Sequence, residues 1–115
     1  MYPARVPGVG PDQVPPDAAV LDVREDDEWV AGHIDGSRHI PMGELPGRFG
    51  EVAELADDAG GELLVVCRSG NRSARVVAWL AQNGVDALNL EGGLGAWQDA
   101  GRPLVSETGG EPFVR

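Results

Sequence analysis

The stretch that decides the fold lies at residues 63–81, which read LLVVCRSGNRSARVVAWLA. Its first four residues are all apolar, a pattern typical of a central strand in a parallel sheet that is covered on both faces. Small and apolar residues then recur at helical spacing from Ser73 to Ala81. The sequence therefore predicts a strand and a helix that are joined by a short loop beginning at Cys67.

Further strands and helices are predicted on either side of this unit. Strands are expected at residues 19–23, 37–40 and 87–90, and helices at residues 25–31, 51–58 and 93–97. Gly32 is expected to end the first helix in a left-handed conformation. This alternation predicts a small three-layer α/β domain with a mainly parallel sheet and helices on both faces. Ligands in such folds collect at the carboxyl ends of strands, and Cys67 follows one of these ends.

The two ends of the chain differ in composition from its middle. Residues 1–16 are rich in proline and glycine and leave room for one edge strand, around Arg5-Val6. Ordered structure is expected to begin near Asp17, and residues 106–115 contain too few apolar side chains to predict order. We therefore divide the chain into an N-terminal segment (1–16), one domain (17–105) and a C-terminal tail (106–115).

Composition and charge exclude several classes of protein. The chain has 115 residues, one cysteine and a net charge of −10, with 19 acidic and 9 basic residues. One cysteine and two histidines can form neither an internal disulfide nor a Cys/His zinc site. An acidic surface repels nucleic acid and anionic membranes. The N-terminus lacks a signal-like apolar stretch, and no apolar run approaches the ~20 residues that span a bilayer, so we expect a cytoplasmic protein.

Cys67 is the candidate for covalent chemistry. A cysteine between a strand and a helix N-terminus receives partial positive charge from the helix, N–H groups from the loop, and charge from Arg68 and Arg72. All three favour the thiolate, which is the nucleophilic form. The alternative is a small apolar residue at the end of a core strand. Two arginines within five residues of the cysteine, in so acidic a chain, favour the reactive cysteine.

Residues 67–73, CRSGNRS, resemble the active-site loop of the single-domain rhodaneses, a family of sulfurtransferases. Two further groups of residues match this family in the same order, one before the loop and one after it. They are Leu21-Asp22-Val23-Arg24, Glu28-Trp29, Gly32-His33-Ile34 and His39-Ile40-Pro41, and then Asn89-Leu90, Gly92-Gly93 and Trp97. The resemblance covers residues 17–105 and implies a rhodanese-like fold.

The resemblance also implies a mechanism, in which Cys67 takes a sulfane sulfur from a donor such as thiosulfate and hands the persulfide sulfur to cyanide or a thiol. Arg68 and Arg72 would attract the sulfonate end of the donor, and backbone N–H groups and hydroxyls of the loop would hold the anion. The implied substrate-binding residues are Arg68, Ser69, Gly70, Asn71, Arg72 and Ser73. No metal or cofactor is implied. The expected partners are a thiosulfate-like anion, a thiophilic acceptor, and a persulfide-donating or thioredoxin-like protein.

Two other classes of protein stay open. Cysteine-dependent phosphatases and arsenate reductases also carry a cysteine and an arginine on an anion-binding loop, and some share this fold. Their loops place the arginine six positions after the cysteine, where this chain has Ser73, whereas Arg72 lies five positions on. The shorter loop suits one sulfur atom better than a phosphoryl group. A non-catalytic rhodanese-like binding module is the third class.

The remaining polar residues are assigned to structure. Asp22 and Arg24 are expected to form scaffold hydrogen bonds and an ion pair near the loop, and His33 to satisfy local backbone groups; whether they assist catalysis stays open. The acidic run at residues 25–28 is expected to be a solvated helix start. Gly92-Gly93 is expected to bring backbone close to the loop.

Overall fold

A computed structural model describes residues 6–60 and 62–115 of the chain. Its strands and helices alternate along the chain, as the sequence predicts. The strands are β1 (Gly8–Val9), β2 (Ala19–Asp22), β3 (Arg38–His39), β4 (Leu63–Val66) and β5 (Leu88–Leu90). The helices are α1 (Asp26–Ala31), α2 (Phe49–Asp58), α3 (Asn71–Gln82) and α4 (Gly93–Asp99). Short 3₁₀ turns lie at Pro11–Gln13, Met42–Glu44 and Pro46–Arg48.

The described residues form one five-stranded sheet in the order β1-β5-β4-β2-β3. Every neighbouring pair in it is parallel. Parallel strands need crossover connections, and the helices between them provide these. The predicted α/β domain with a parallel sheet is therefore confirmed.

Two apolar clusters lie on the two faces of the sheet, and the central strand β4 contributes to both. Leu63 and Val65 pack in a cluster with side chains of α2 and α3. Leu64 and Val66 point the other way and pack in a cluster with side chains of α4. Since all four are fully buried, each contributes about 1.5–3 kcal/mol relative to exposure. This burial fixes β4, and with it the position of the residue that follows, Cys67.

The N-terminal segment is ordered earlier than the sequence predicts. The edge strand forms at Gly8–Val9 instead of around Arg5-Val6, and Arg5 lies outside the described residues. The expectation that order begins near Asp17 is therefore wrong. The edge strand forms because the outer side of β5 offers unpaired backbone groups: the N–H groups of Asn89 and Glu91 donate to the carbonyls of Pro7 and Val9, each at 2.9 Å. Because β1 pairs with a strand that is distant in the sequence, no local sequence pattern predicts it.

Gly32 also differs from its expected role. Its φ of 177° is extended backbone, so it does not end α1 in a left-handed conformation. A Cβ at this position would lie 2.4 Å from the carbonyl oxygen of Phe113, and the Phe113 N–H donates to Ala31. Glycine is needed here because the end of the chain passes directly over the end of α1. Residues 106–115 form no helix or strand, yet their end returns to the domain.

Helix length bears on membrane insertion. None of the helices in residues 6–60 and 62–115 combines the length and the apolar character needed to cross a bilayer.

Candidate active site

The loop that follows β4 turns sharply into α3. Gly70 has a φ of +96° and directly precedes the helix. Only glycine adopts this conformation readily. A Cβ on Gly70 would also lie 3.2 Å from the Gly92 nitrogen and 3.3 Å from the Leu90 carbonyl oxygen. Because α3 begins at Asn71, the irregular loop itself is only Cys67–Gly70, and Arg72 and Ser73 belong to the first helical turn.

The Cys67 sulfur lies at the centre of this turn and is enclosed by hydrogen-bond donors. The Gly70 N–H donates to Sγ at 3.1 Å, and the Ser73 N–H at 3.4 Å. The Ser73 hydroxyl lies 3.2 Å from the same atom. Cys67 is fully buried and forms no disulfide. N–H donors at a helix N-terminus stabilise negative charge, so this cradle favours a sulfur anion, either a thiolate or a persulfide.

Two backbone contacts support the loop from below. The N–H groups of Leu94 and Gly95, in the first turn of α4, donate to the carbonyls of Cys67 and Arg68 at 2.8 and 3.0 Å. Gly93 permits this approach, because a Cβ there would lie 2.4 Å from the Arg68 carbonyl oxygen. The expectation that Gly92-Gly93 brings backbone close to the loop is confirmed. The carbonyls of Cys67 and Arg68 thus point at α4, while the N–H groups of Gly70 and Ser73 point at the sulfur.

Asn89 completes the cradle, and its role was missed at the sequence level. The Ser73 hydroxyl donates to Asn89 Oδ1 at 2.5 Å, and Asn89 Nδ2 donates to the Gly70 carbonyl at 3.2 Å. Asn89 appeared in the sequence only as part of a resemblance. A signal was nevertheless available, since an amide between Leu88 and Leu90 in a buried strand needs partners in the interior.

Arg72 is bonded within the protein. Its two terminal nitrogens donate to the two carboxylate oxygens of Glu28 at 2.8 and 2.9 Å. This bond lowers the pKa of Glu28 from its ordinary 4.5 to about 2. The hydrogen bond to Glu28 raises the pKa of Arg72, and a negative charge on Cys67 acts in the same direction. The expectation that residues 25–28 are merely solvated is therefore wrong for Glu28, which fixes the guanidinium beside the loop.

The other loop residues present their side chains to solvent. Arg68, Ser69 and Asn71 are exposed. Across residues 6–60 and 62–115, the guanidinium of Arg68 has no ion-pair partner. The structure therefore separates the two arginines flanking the cysteine: Arg72 is paired with Glu28, whereas Arg68 forms no ion pair with any described residue.

Asp22 and Arg24 form a closed pair at the end of β2, and both are fully buried. Arg24 donates to both carboxylate oxygens of Asp22, at 3.0 Å from Nε and 2.8 Å from a terminal nitrogen. The same guanidinium donates to the carbonyls of Glu28 and Gly32. The predicted scaffold hydrogen bonds and ion pair are confirmed, and they tie the end of β2 to Glu28 within α1 and to Gly32 directly after it.

His33 is likewise used locally. Its Nδ1 lies 2.7 Å from the Trp29 carbonyl oxygen, its ring stacks on Trp29 at a centroid distance of 3.5 Å, and its Nε2 lies 3.3 Å from a Glu107 carboxylate oxygen. Within the described parts of the chain, no cluster of His, Cys, Asp and Glu side chains could hold a metal ion.

Comparison with known proteins agrees with this geometry. The family model described as a rhodanese-like domain matches residues 12–100. The chain is 35% identical over 94 residues to a sulfurtransferase of Allochromatium vinosum, covering 81% of this chain and 83% of that protein. It is 34% identical over 93 residues to the thiosulfate sulfurtransferase GlpE of Pseudomonas paraeruginosa, covering 80% and 79%. It also resembles the crystal structure of a rhodanese-related protein from Thermoplasma volcanium, with a TM-score of 0.74, 31% identity, and coverage of 86% of this chain and 97% of that one.

Proposed function

Because the chain belongs to the rhodanese-like domain family, we propose that it moves a sulfane sulfur from a thiosulfate-like anion to a thiophilic acceptor through a persulfide on Cys67. Relatives named as sulfurtransferases support sulfurtransferase activity in general. The observation that carries the finer proposal is the cradle, in which Gly70 and Ser73 aim backbone N–H groups at the Cys67 sulfur.

The first half of the proposed reaction loads the cysteine. The Cys67 thiolate attacks the outer sulfur of thiosulfate, the S–S bond of thiosulfate breaks, and its electron pair leaves with sulfite. The product is the persulfide anion Cys67–S–S⁻. The N–H groups of Gly70 and Ser73 already point at the Cys67 sulfur, and preorganised donors of this kind stabilise an anion most effectively.

The second half returns the enzyme to its starting state. An acceptor such as cyanide or a thiolate attacks the outer sulfur, the S–S bond of the persulfide breaks, and the electron pair returns to Cys67. The persulfide carries the reactive atom about 2 Å beyond the buried Sγ, where an acceptor meets it more readily. With no second cysteine in the chain, the persulfide has no internal thiol to attack it and waits for an external acceptor.

The two arginines have different parts in this proposal. Arg68 is exposed and uncompensated among the described residues, so it attracts the sulfonate end of the donor and the departing sulfite. Arg72 is bonded to Glu28 and acts as a fixed positive charge near the sulfur. The hydroxyls of Ser69 and Ser73 and the backbone at Asn71 complete the proposed anion site.

The phosphatase alternative receives no support from this geometry. The position that carries the arginine in phosphatase loops is Ser73, whose hydroxyl is bonded to Asn89. Arg72, one residue earlier, is held by a carboxylate. A phosphoryl group would therefore lack a guanidinium at the position where phosphatase loops carry the arginine that neutralises its charge.

The cell must keep a functional Cys67 reduced. Thiols persist in the cytoplasm, where thioredoxin and glutathione act, and we propose that the chain works there. A persulfide-donating protein or a thioredoxin-like dithiol would then be a suitable donor or acceptor.

Intact-mass measurement after incubation with thiosulfate tests the proposed function. We expect the protein to gain one sulfur atom, to lose it on addition of cyanide, and Cys67→Ser to gain none. No gain in the parent protein, or a gain that persists in Cys67→Ser, contradicts the proposal. Turnover of an aryl phosphate without sulfur uptake would instead identify a phosphatase, and specific binding of a protein partner without either activity a binding module.

The contribution of Arg68 is tested by Arg68→Ala, with Arg38→Ala as the matched control on an exposed arginine paired to Glu51. We expect the thiosulfate KM to rise about two- to fivefold in Arg68→Ala, as removal of an exposed charge does, and to stay unchanged in Arg38→Ala. Equal KM values in both variants would remove Arg68 from the donor site.

A further inference from the structure

Asn89 lies in β5, next to the central strand, where its Cα is in register with Val65 of β4. It is 7% exposed and lies between the apolar residues Leu88 and Leu90. A buried carboxamide costs free energy unless its oxygen and nitrogen are both hydrogen-bonded. Both are, and neither partner is another part of β5.

The two partners of Asn89 are the residues that hold the sulfur. Oδ1 accepts the Ser73 hydroxyl proton at 2.5 Å, and Nδ2 donates to the Gly70 carbonyl at 3.2 Å. Gly70 and Ser73 are also the residues whose backbone N–H groups donate to Cys67 Sγ. One side chain therefore connects both ends of the cradle, and it does so without touching the sulfur.

The hydrogen-bond chain also has a direction. A serine hydroxyl has a single proton, so a hydroxyl that donates to Asn89 Oδ1 cannot donate to Cys67 Sγ at the same time. In the 3.2 Å contact between Sγ and Ser73 Oγ, the thiol S–H is then the donor and the hydroxyl oxygen is the acceptor. After the thiol loses its proton to solvent, the Ser73 hydroxyl can turn towards the sulfur only by leaving Asn89.

We propose that Asn89 is a positioning residue for Cys67. Its amide nitrogen anchors Gly70, so that the Gly70 N–H points at the sulfur. Its amide oxygen competes with the sulfur anion for the proton of the Ser73 hydroxyl. The inference rests on the proposed function only in taking Cys67 as the nucleophile. It makes Asn89, on β5, one of the groups that set the balance between the thiol and the anion of Cys67, which follows β4.

The test is the pH dependence of Cys67 alkylation by iodoacetamide in a double-mutant cycle of Asn89→Leu and Ser73→Ala. In the Ser73→Ala background, Asn89→Leu removes only the anchor of Gly70, and we expect the alkylation midpoint to rise by about one pH unit. In the parent background the same substitution also frees the Ser73 hydroxyl to donate to the sulfur. We expect the midpoint there to rise by less, or to fall.

Equal shifts in both backgrounds, or no shift in either, would overturn the proposal. Val52→Ala, which creates a cavity beside α2 but removes none of the hydrogen bonds of the cradle, serves as the control, because it lowers stability and should leave the midpoint unchanged. Arg72, whose charge interacts with Cys67, and its ion-pair partner Glu28 are unchanged in all these variants.

This readout separates the two claims of function. Unequal shifts in a protein that gains no sulfur from thiosulfate would support the role of Asn89 and contradict sulfur transfer. Sulfur loading with equal shifts would support sulfur transfer and contradict the role of Asn89.

Discussion

Two neighbouring strands of the sheet, β2 and β4, end side by side, with Asp22 in register with Val66. Both ends bury polar groups, but the partners of these groups differ. At the end of β2, Asp22 and Arg24 neutralise each other, and Arg24 also donates to the backbone of α1. At the end of β4, the Cys67 sulfur meets backbone N–H groups at 3.1 and 3.4 Å.

The difference separates a scaffold from the candidate binding site. A buried ion pair whose donors and acceptors are all used inside the protein has nothing left to offer a ligand. The donors around Cys67 are neutral, and their present acceptor is a sulfur atom, which is a weak one when protonated. They gain most when the sulfur becomes an anion. The three predictions below test this contrast.

The largest effect is expected from breaking the scaffold. Asp22→Asn leaves the Arg24 guanidinium fully buried without its countercharge, and removal of one partner of a buried pair costs about 3–5 kcal/mol. We expect urea denaturation to show a loss of this size in the free energy of unfolding.

The control for this prediction replaces both charges. Asp22→Leu combined with Arg24→Met leaves no charge unpaired, and we expect it to recover much of the stability lost in Asp22→Asn. A loss below about 1 kcal/mol in Asp22→Asn would mean that solvent reaches the pair, against the full burial that the structure shows.

A smaller effect on stability, with a larger one on function, is expected from distorting the cradle. Gly70→Ala places a Cβ at a φ of +96° and within 3.3 Å of two backbone atoms. We expect a loss of about 1–3 kcal/mol in stability and slower sulfur loading from thiosulfate, because the Gly70 N–H shifts away from the sulfur.

The matched control is Gly84→Ala at the end of α3. Gly84 has a similar φ, +82°, but no atom lies within 4 Å of the added Cβ. We expect a loss of about 1 kcal/mol from the backbone conformation alone and an unchanged loading rate. A similar loading rate in the two variants would show that the position of Gly70 does not govern the reaction.

The contrast between the two strand ends also explains which features are predictable from the sequence. The strand, loop and helix around Cys67 are encoded locally: four apolar residues, a glycine at the turn, and a helical stripe. The pairing of Asp22 with Arg24, two residues apart in the sequence, is nearly as local. These elements were predicted within one or two residues of where they lie.

The parts that were missed depend on contacts between distant segments. Glu28 and Arg72 are 44 residues apart, and Ser73 and Asn89 are 16 apart. Gly32 contacts the backbone of Phe113, which is near the opposite end of the sequence. In each case the local pattern had an adequate simpler explanation, such as a solvated helix start or a helix end, and only the packing of the sheet and helices brings the partners together.

The smallest effect on stability is expected from the Glu28–Arg72 bond. It links α1, which is bonded to the Asp22–Arg24 pair, to the first turn of α3 beside Cys67, and its contribution is tested by lowering the pH. The pKa of Glu28 is lowered from 4.5 to about 2 in the folded protein. A lowered pKa contributes stability that is fully present above the unfolded value and is lost as the pH falls through the folded value. The window is therefore from about pH 4.5 down to pH 2. Because the bond is partly open to solvent, we expect a contribution of about 1–2 kcal/mol.

The measurement compares the parent protein with Glu28→Gln by urea denaturation at pH 6 and pH 3. Other carboxylates titrate in both proteins, so the difference between the two pH-dependent losses isolates Glu28. We expect the parent to lose more stability than Glu28→Gln, and Arg72→Met to behave like Glu28→Gln, because its Glu28 titrates near the ordinary value. Parallel losses in the parent and both variants would mean that the bond contributes nothing in solution, and Arg72 would then be as available to an anion as Arg68.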